Sequence, residues 1–424
     1  MITLGVIADD FTGATDIASF LVQNGLPTVQ LNGVPEADYQ ITAQAVVISL
    51  KSRSCPAEQA VTDALKALAW LQQQGCQQFY FKYCSTFDST VHGNIGPVTD
   101  ALLDALGESM TVISPALPVN GRTVYQGYLF VMGQLLSESG MRHHPVTPMT
   151  DSNLLRLMEQ QANGHAGLVP YAVMDRGPAA VKQHLAQLRE QGCRYAVLDT
   201  LNEQHLLTQG DALREMKLVT GGSGLAIGLA RVWATSAPQS TTATQAGLPQ
   251  PGAGIVLSGS CSVMTNQQVA RYCQQAAHQA IDVARCLESE SALQTYAHEL
   301  ARWAEEHRND VLAPLLYATA APEALATIQQ RFGAQASSHA VETLFACVAS
   351  QLQTAGFRRF IIAGGETSSR VVQTLGIRAF HIGPTISPGV PWVKSTDHPL
   401  SLALKSGNFG DEDFFARAQQ EFAL

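Results

Sequence analysis

Charge is scarce in this chain, and basic charge is nowhere concentrated. Only 14% of the 424 residues are Asp, Glu, Lys or Arg, and 26 basic against 35 acidic side chains leave a net charge of −9. The nearest approach to a basic cluster is Arg142, His143 and His144. Nucleic acid and anionic membrane both require a concentrated positive field, so neither is expected as a partner. No run of about 18 apolar residues occurs, and no membrane span is expected. The start, MITLGVIADD, lacks a basic n-region and meets acids by Asp9, so it does not read as a secretory signal. The eight cysteines (Cys55, Cys76, Cys84, Cys193, Cys261, Cys273, Cys286 and Cys347) stand singly, with no CxxC and no Cys/His metal spacing. Reduced, mostly buried thiols in a cytoplasm are expected. GxxxxGK[ST] and the protein-kinase signatures are also missing, so any nucleotide must bind by another scheme.

Hydrophobic residues make up 46% of the chain, enough for two or three cores. The segment from Ser236 to Gly254, SAPQSTTATQAGLPQPGAG, has no charge and is rich in Ser, Thr, Gln, Pro and Gly. It divides the chain into residues 1–235, a linker at 236–253, and residues 254–424. Short apolar runs (Ile2 to Ala8, Ala45 to Leu50, Phe79 to Tyr83, Met110 to Ser114, Tyr195 to Asp199, Lys217 to Gly221) alternate with helix-like segments. The pattern repeats at Gly254 to Gly259 and Arg359 to Gly365, with long helical patterns over Leu287 to His307 and Ala321 to Ala355. The expected fold is α/β with two domains, each a largely parallel sheet flanked by helices. In such sheets ligands sit beyond the carboxyl ends of the strands.

Several strand ends carry chemistry. GVIADDFTGATD, Gly5 to Asp16, places Asp9 and Asp10 between a buried strand and a helix start. Adjacent residues on an extended chain point to opposite sides, so one carboxylate can face a cleft while the other binds backbone groups. A plain helix cap explains either equally well. In SLKSRS, Lys51 and Arg53 share a face if the strand continues, and Arg suits a carboxylate, although a solvated surface pair is the commoner outcome. KYCSTFDSTVHGNIG joins Lys82, Asp88, several hydroxyls and His92 in one loop, where Asp88 could equally cap the next helix. PALPVNGRTVYQGYL presents Arg122, a second candidate for an anion, after an Asn120-Gly121 turn. LSGSCS (Leu257 to Ser262), AGGETS (Ala363 to Ser368) and KSGNFG (Lys405 to Gly410) are three small-residue loops suited to phosphate. TGGSGLAIG, Thr220 to Gly228, imitates a dinucleotide turn, but no Asp or Glu lies between Glu215 and Asp282 to hold a ribose. It reads as a tight turn into a helix.

Together and in this order, these segments resemble the four-carbon acid sugar kinase family over nearly the whole chain. CSTFDSTVHGNIGPVTDALLDAL and ESGMRHHPVTPMTDSNL resemble its 3-oxo-tetronate 4-kinase branch. Many relatives carry KKxDSTLRGN in the loop. Here Tyr83 follows Lys82, the loop is longer, and Val91-His92 replaces Leu-Arg. That departure favours an acid sugar other than threonate or erythronate. The resemblance implies an acid-sugar-binding first domain, an ATP-binding second domain and an active site in the cleft between them. It implies that Asp10, Arg53 and Lys82 line the sugar site, and that Ser258, Gly364, Gly365, Glu366 and Gly407 line the nucleotide site. ATP and Mg²⁺ are the implied cofactors, with no metal ligands assigned. The reaction expected is transfer of the γ-phosphoryl group to the terminal hydroxyl of 3-oxo-tetronate. Asp10, or failing it Asp9, would orient the attacking hydroxyl, Arg53 would pair with the substrate carboxylate, and Lys82 would hold that carboxylate or a phosphate oxygen. The alternatives are a threonate or erythronate kinase, an NAD(P)-dependent oxidoreductase, and a non-catalytic acid-sugar sensor. The sequence does not fix oligomeric state; a homodimer is compatible with it.

Overall fold

The computed structural model describes residues 2–36, 39, 41–143, 147–236 and 244–422. Its contacts divide the chain into two units, Met1–Ala243 and Thr244–Leu424. Within the segment expected as a linker, residues 237–243 lie outside the described residues. The short 3₁₀ turn Gln245–Gly247 belongs to the second unit.

The first unit contains β1 (Leu4–Ala8), β2 (Thr28–Asn32), β3 (Ala45–Ser49), β4 (Gln78–Lys82), β5 (Thr111–Ser114), β6 (Arg122–Tyr125), β7 (Tyr128–Val131), β8 (Gln134–Leu135), β9 (His165–Val169), β10 (Cys193–Leu198) and β11 (Leu218–Gly221). The main sheet runs β2-β3-β1-β4-β11-β5-β10-β9, and every pairing is parallel. Both faces of such a sheet are covered by crossover helices, and the strands LGVIA, AVVIS and QFYFK are accordingly buried at every position. The chain leaves β1 toward β2 and β3 on one side and returns to β4 on the other. The ends of β1 and β4 therefore form the switch point where an open α/β sheet leaves a crevice. A separate antiparallel sheet, β6-β7-β8, turns at Gln126-Gly127 and Met132-Gly133, with φ of 51°, 75°, 51° and 82°. Positive φ at both central residues is what a tight right-twisted hairpin requires.

The second unit contains β12 (Gly254–Ser258), β13 (His278–Ala280), β14 (Leu315–Tyr317), β15 (Arg359–Ala363), β16 (Ala379–Ser387), β17 (Val390–Ser395) and β18 (Ser401–Lys405). The order is β13-β14-β12-β15-β18-β17-β16. The strands from β13 to β18 pair in parallel, and β17 is antiparallel to both β18 and β16. Here the switch point lies between β12 and β15. The helical pattern expected over Ala321 to Ala355 is two helices, Pro322–Phe332 and Ala334–Thr354, broken at Gly333 with φ 84°. After β12 the chain forms helix Val263–Tyr272, capped by Ser262. Only Cys286 is a buried thiol; the other seven are half-buried, so the expectation of mostly buried cysteines does not hold. Among the described residues no helix is long and apolar enough to cross a membrane.

Candidate functional site

Each unit has one candidate site, at its switch point. In the first unit, β1, β3 and β4 end in register, Ala8 opposite Ser49 and Lys82. β3 ends at Ser49, so Lys51 and Arg53 do not share a face. Lys51 is exposed, while Arg53 turns inward because the Ser52 and Arg53 amides donate to the Asp9 carbonyl at 2.9 and 3.2 Å. Its guanidinium spans both acids: Nε and NH2 donate to Asp9 at 2.9 and 2.8 Å, and NH2 also reaches Asp10 Oδ1 at 2.7 Å. The expected division of Asp9 and Asp10 between two sides is thus replaced by one shared cation. Asp10 is in addition the cap of helix Phe11–Gln23, its Oδ1 accepting the Gly13 N–H at 3.0 Å and its Oδ2 the Thr12 hydroxyl at 3.0 Å. Burial raises the Asp9 carboxyl despite Arg53. Burial also works to raise Asp10, but Arg53, Lys82 and the cap bonds outweigh it and leave Asp10 lowered.

Lys82 is 3% exposed, and among the described residues its ammonium has no hydrogen-bond or ion-pair partner. It lies over the start of helix Phe11–Gln23; a Cβ on Gly13 would sit 2.4 Å from Nζ. The Asp10 carboxylate caps the same helix start, and the ammonium, hydrogen-bonded to none of the described residues, keeps its donors for a ligand. Asp88 accepts from Thr86 at 2.6 Å and stands 3.9 Å from Arg53 NH1. Its loop is pinned by Asn94, whose amide donates to the carbonyls of Ser52 and Cys55 at 2.7 and 2.8 Å. Arg122 donates through NH1 to the Asn120 carbonyl, and its buried Nε has no partner. Asp16 and Ser223, absent from the expected site, lie in the same neighbourhood: Ser223 Oγ donates to Asp16 Oδ2 at 2.5 Å, and Asp16 feels the charges of Lys82, Asp10 and Arg122.

The dinucleotide-like turn is fully used by packing. A Cβ on Gly222, Gly224 or Gly228 would sit 2.4, 2.1 and 2.0 Å from the carbonyl oxygens of Pro115, Ala116 and Leu206. These glycines admit the backbone of neighbouring segments, not a pyrophosphate.

In the second unit, Ser258, Ala363 and Lys405 end their strands in register. The three loops beyond them close on one another: the Gly259 and Ser260 amides donate to the Ala363 carbonyl, and the Gly364 amide to that of Lys405. A cavity of about 290 Å³ opens there, lined by Gly259, Ser260, Gly364, Gly365, Glu366 and Gly407 together with apolar Val283, Leu325, Ile328 and Val341. A Cβ on Gly407 would stand 2.8 Å from Ser260 Oγ, and Gly364 holds φ 125°, so the cradle depends on both glycines. Helix Gly365–Thr374 begins without a side-chain cap, leaving amide groups open for an anion. Ser258 does not line the cavity; it is fully buried and its hydroxyl bonds Thr319 at 2.7 Å. Lys405, unassigned by the sequence reading, is fully buried beneath the cradle. It donates to Thr265 Oγ1 and to the carbonyls of Ser406 and Gly407 at 3.0, 3.1 and 2.8 Å. Its signal in sequence was a lysine closing an apolar strand, SLALK, directly before a glycine loop. A glycine-lined, anion-seeking end beside an apolar wall suits phosphates and a base.

A family model for a sugar-binding N-terminal domain matches residues 4–229, and one for a nucleotide-binding C-terminal domain matches residues 255–415. The chain is similar to the 3-oxo-tetronate kinase of Pectobacterium atrosepticum, 80% identical over 423 residues and 100% of both chains. It is 63% identical to the 3-oxo-tetronate kinase of Salmonella typhimurium, again over 100% of both. A solved structure from Salmonella typhimurium LT2, described as a tRNA synthase, is similar with a TM-score of 0.94 and 62% identity, covering 100% of both chains.

Proposed function

The chain belongs to the four-carbon acid sugar kinase family, and from that premise we propose that it transfers the γ-phosphoryl group of ATP to the C4 hydroxyl of 3-oxo-tetronate. The products are 3-oxo-tetronate 4-phosphate and ADP. The observation that carries this reading is Lys82, a residue 3% exposed whose ammonium at a helix start makes no hydrogen bond among the described residues and so has donors free for a small anion in the first unit. The full-length similarity to 3-oxo-tetronate kinases selects the acid. Transfer RNA is disfavoured because a chain of net charge −9 without a basic cluster lacks the field a polyanion needs. A cytoplasmic location is part of the proposal, since ATP is the donor.

Phosphoryl transfer depends mainly on positioning and on stabilising charge. Lys82 takes one oxygen of the substrate carboxylate. Arg53 offers its NH1 corner to the other, while its remaining donors keep Asp9 and Asp10 in place. In the second unit the glycine loops and the uncapped helix Gly365–Thr374 hold phosphate oxygens, and Val283, Leu325, Ile328 and Val341 cover the base. Mg²⁺ would neutralise phosphate charge there. Glu366, on the first turn of that helix and lining the cavity, would be the residue to hold one of its waters. Among the described residues no three His, Cys, Asp or Glu side chains converge into a metal cage, which suits a cation held mainly by phosphates and water.

A coupled ADP-release assay tests the proposal against D- and L-threonate, D- and L-erythronate, and 3-oxo-tetronate generated in place by oxidation of the tetronate. Turnover with the 3-oxo acid alone is expected. Turnover with a plain tetronate would keep the kinase and overturn the choice of acid, and silence with every acid would overturn both.

A further inference from the structure

Of the carboxylates gathered in the first unit's site, nearly all oxygens are engaged. Both oxygens of Asp9 are on Arg53, and both oxygens of Asp10 hold the helix cap and Arg53. Asp88 accepts from Thr86 and faces Arg53. Asp16 differs. Its Oδ2 accepts from Ser223, while Oδ1 is buried with no partner. One further polar atom around it is buried and unpartnered, Arg122 Nε, and the Lys82 ammonium, whose charge Asp16 feels, makes no hydrogen bond among the described residues. Buried polar groups are normally satisfied, so two buried orphans beside an ammonium without a hydrogen bond mark the place of a polar ligand.

We propose that Asp16 is the catalytic base of this site, its free Oδ1 accepting the hydrogen bond of the substrate's terminal hydroxyl while Lys82 and Arg122 hold anionic and keto oxygens beside it. This rests on the kinase reading above. As the O–Pγ bond forms, the hydroxyl proton passes to Asp16 Oδ1, the bond from Pγ to the β-bridging oxygen breaks, and ADP leaves with that electron pair. Asp16 suits the task better than Asp10. Burial raises its carboxyl toward the working pH, against the opposing pull of Lys82 and the Ser223 bond, whereas Asp10 is held low. The charged groups around Asp16 are Lys82 from β4, Arg122 from β6 and Asp10 at the helix cap.

The test uses the full chain and 3-oxo-tetronate. Asp16→Asn is expected to lower kcat by about 10²-fold or more, the ordinary contribution of a general base, while the dissociation constant of ATP stays within twofold. Ser223→Ala keeps the carboxylate but removes the bond that favours its ionised form, so the acid limb of the kcat/KM profile should move to higher pH. That shift is something a purely structural hydroxyl would not cause, and it serves if Asp16→Asn does not fold. Asp16→Asn turnover within tenfold of the parent chain, or an unmoved acid limb in Ser223→Ala, would overturn the assignment. A parent chain silent toward every four-carbon acid would instead overturn the proposed function itself, so the two failures are distinguishable.

Discussion

Each unit closes one apolar parallel strand with a lysine, and the two lysines differ in what surrounds them. Lys82 ends QFYFK, and its charge acts on Asp9, Asp10 and Asp16 without pairing to any of them. Replacing it with methionine keeps the stem's packing and removes the charge. A charge-assisted hydrogen bond contributes about 1.5–3 kcal/mol, so Lys82→Met should raise the sugar KM at least tenfold and leave the ATP KM unchanged. Steady-state kinetics with each substrate varied in turn would check this. Lys405 ends SLALK with its ammonium bonded to a hydroxyl and two carbonyls, and burial pushes it down to about 7. The unfolded chain keeps this proton up to the ordinary 10.5. Between those values the unfolded state holds more protons, so the Lys405 contribution to stability rises with pH, and below about 7 the cost of the buried charge is fully present. Relative to the parent chain, the Tm of Lys405→Met should therefore fall as pH rises from about 6 to 9. A constant difference in thermal denaturation would refute it. Lys82, Arg53 and Asp10 were legible in the sequence because each stands at or just beyond the end of an apolar strand. Asp16 and Ser223 were not, because their pairing joins residues 207 positions apart and depends on β11 lying beside β4.

At the scale of elements, β1, β3, β4, β5, β10, β11, β12 and β15 were legible because parallel strands buried on both faces are continuous apolar runs, whereas the parallel strands β2, β9, β13, β14 and β18 were not read. The antiparallel strands β16 and β17 were not. Gly383-Pro384 interrupts the first, and its register with β17 shifts there. The hairpins of β6–β8 turn on Gln-Gly and Met-Gly instead of the more recognisable Asn-Gly. Two elements carry predictions. Helix Glu203–Leu213 meets helix Leu225–Ser236 through Gly210 and Gly228, where a Cβ on Gly228 would stand 2.0 Å from the Leu206 carbonyl oxygen. Backbone cannot yield as a side-chain tip can, so Gly228→Ala should destabilise by about 1–3 kcal/mol or more in urea unfolding. Helix Phe11–Gln23 depends on Asp10 for its cap. Asp10→Ala should cost about 0.5–2 kcal/mol from the cap alone, and more because Arg53 loses a partner.

On the scale of the whole molecule, two sheets of similar construction hold different ligands because different residues follow the same kind of strand end. At the first switch point β1 and β4 are followed by Asp9, Asp10 and a loop of hydroxyls and acids, set around cations. At the second, β12, β15 and β18 are followed by glycine and serine, so the ligand meets backbone amides. The first suits a small acid recognised by side chains; the second suits phosphates recognised by main chain. Ligand binding stabilises the segments that contact the ligand, which slows their amide exchange. Addition of a four-carbon acid sugar should therefore protect amides over 9–16 and 82–94, and a non-hydrolysable ATP analogue should protect those over 259–263, 364–368 and 406–410. Each ligand added alone should give its own pattern in hydrogen-exchange mass spectrometry. Protection of the glycine loops by the acid sugar without nucleotide would reverse the assignment of the two sites.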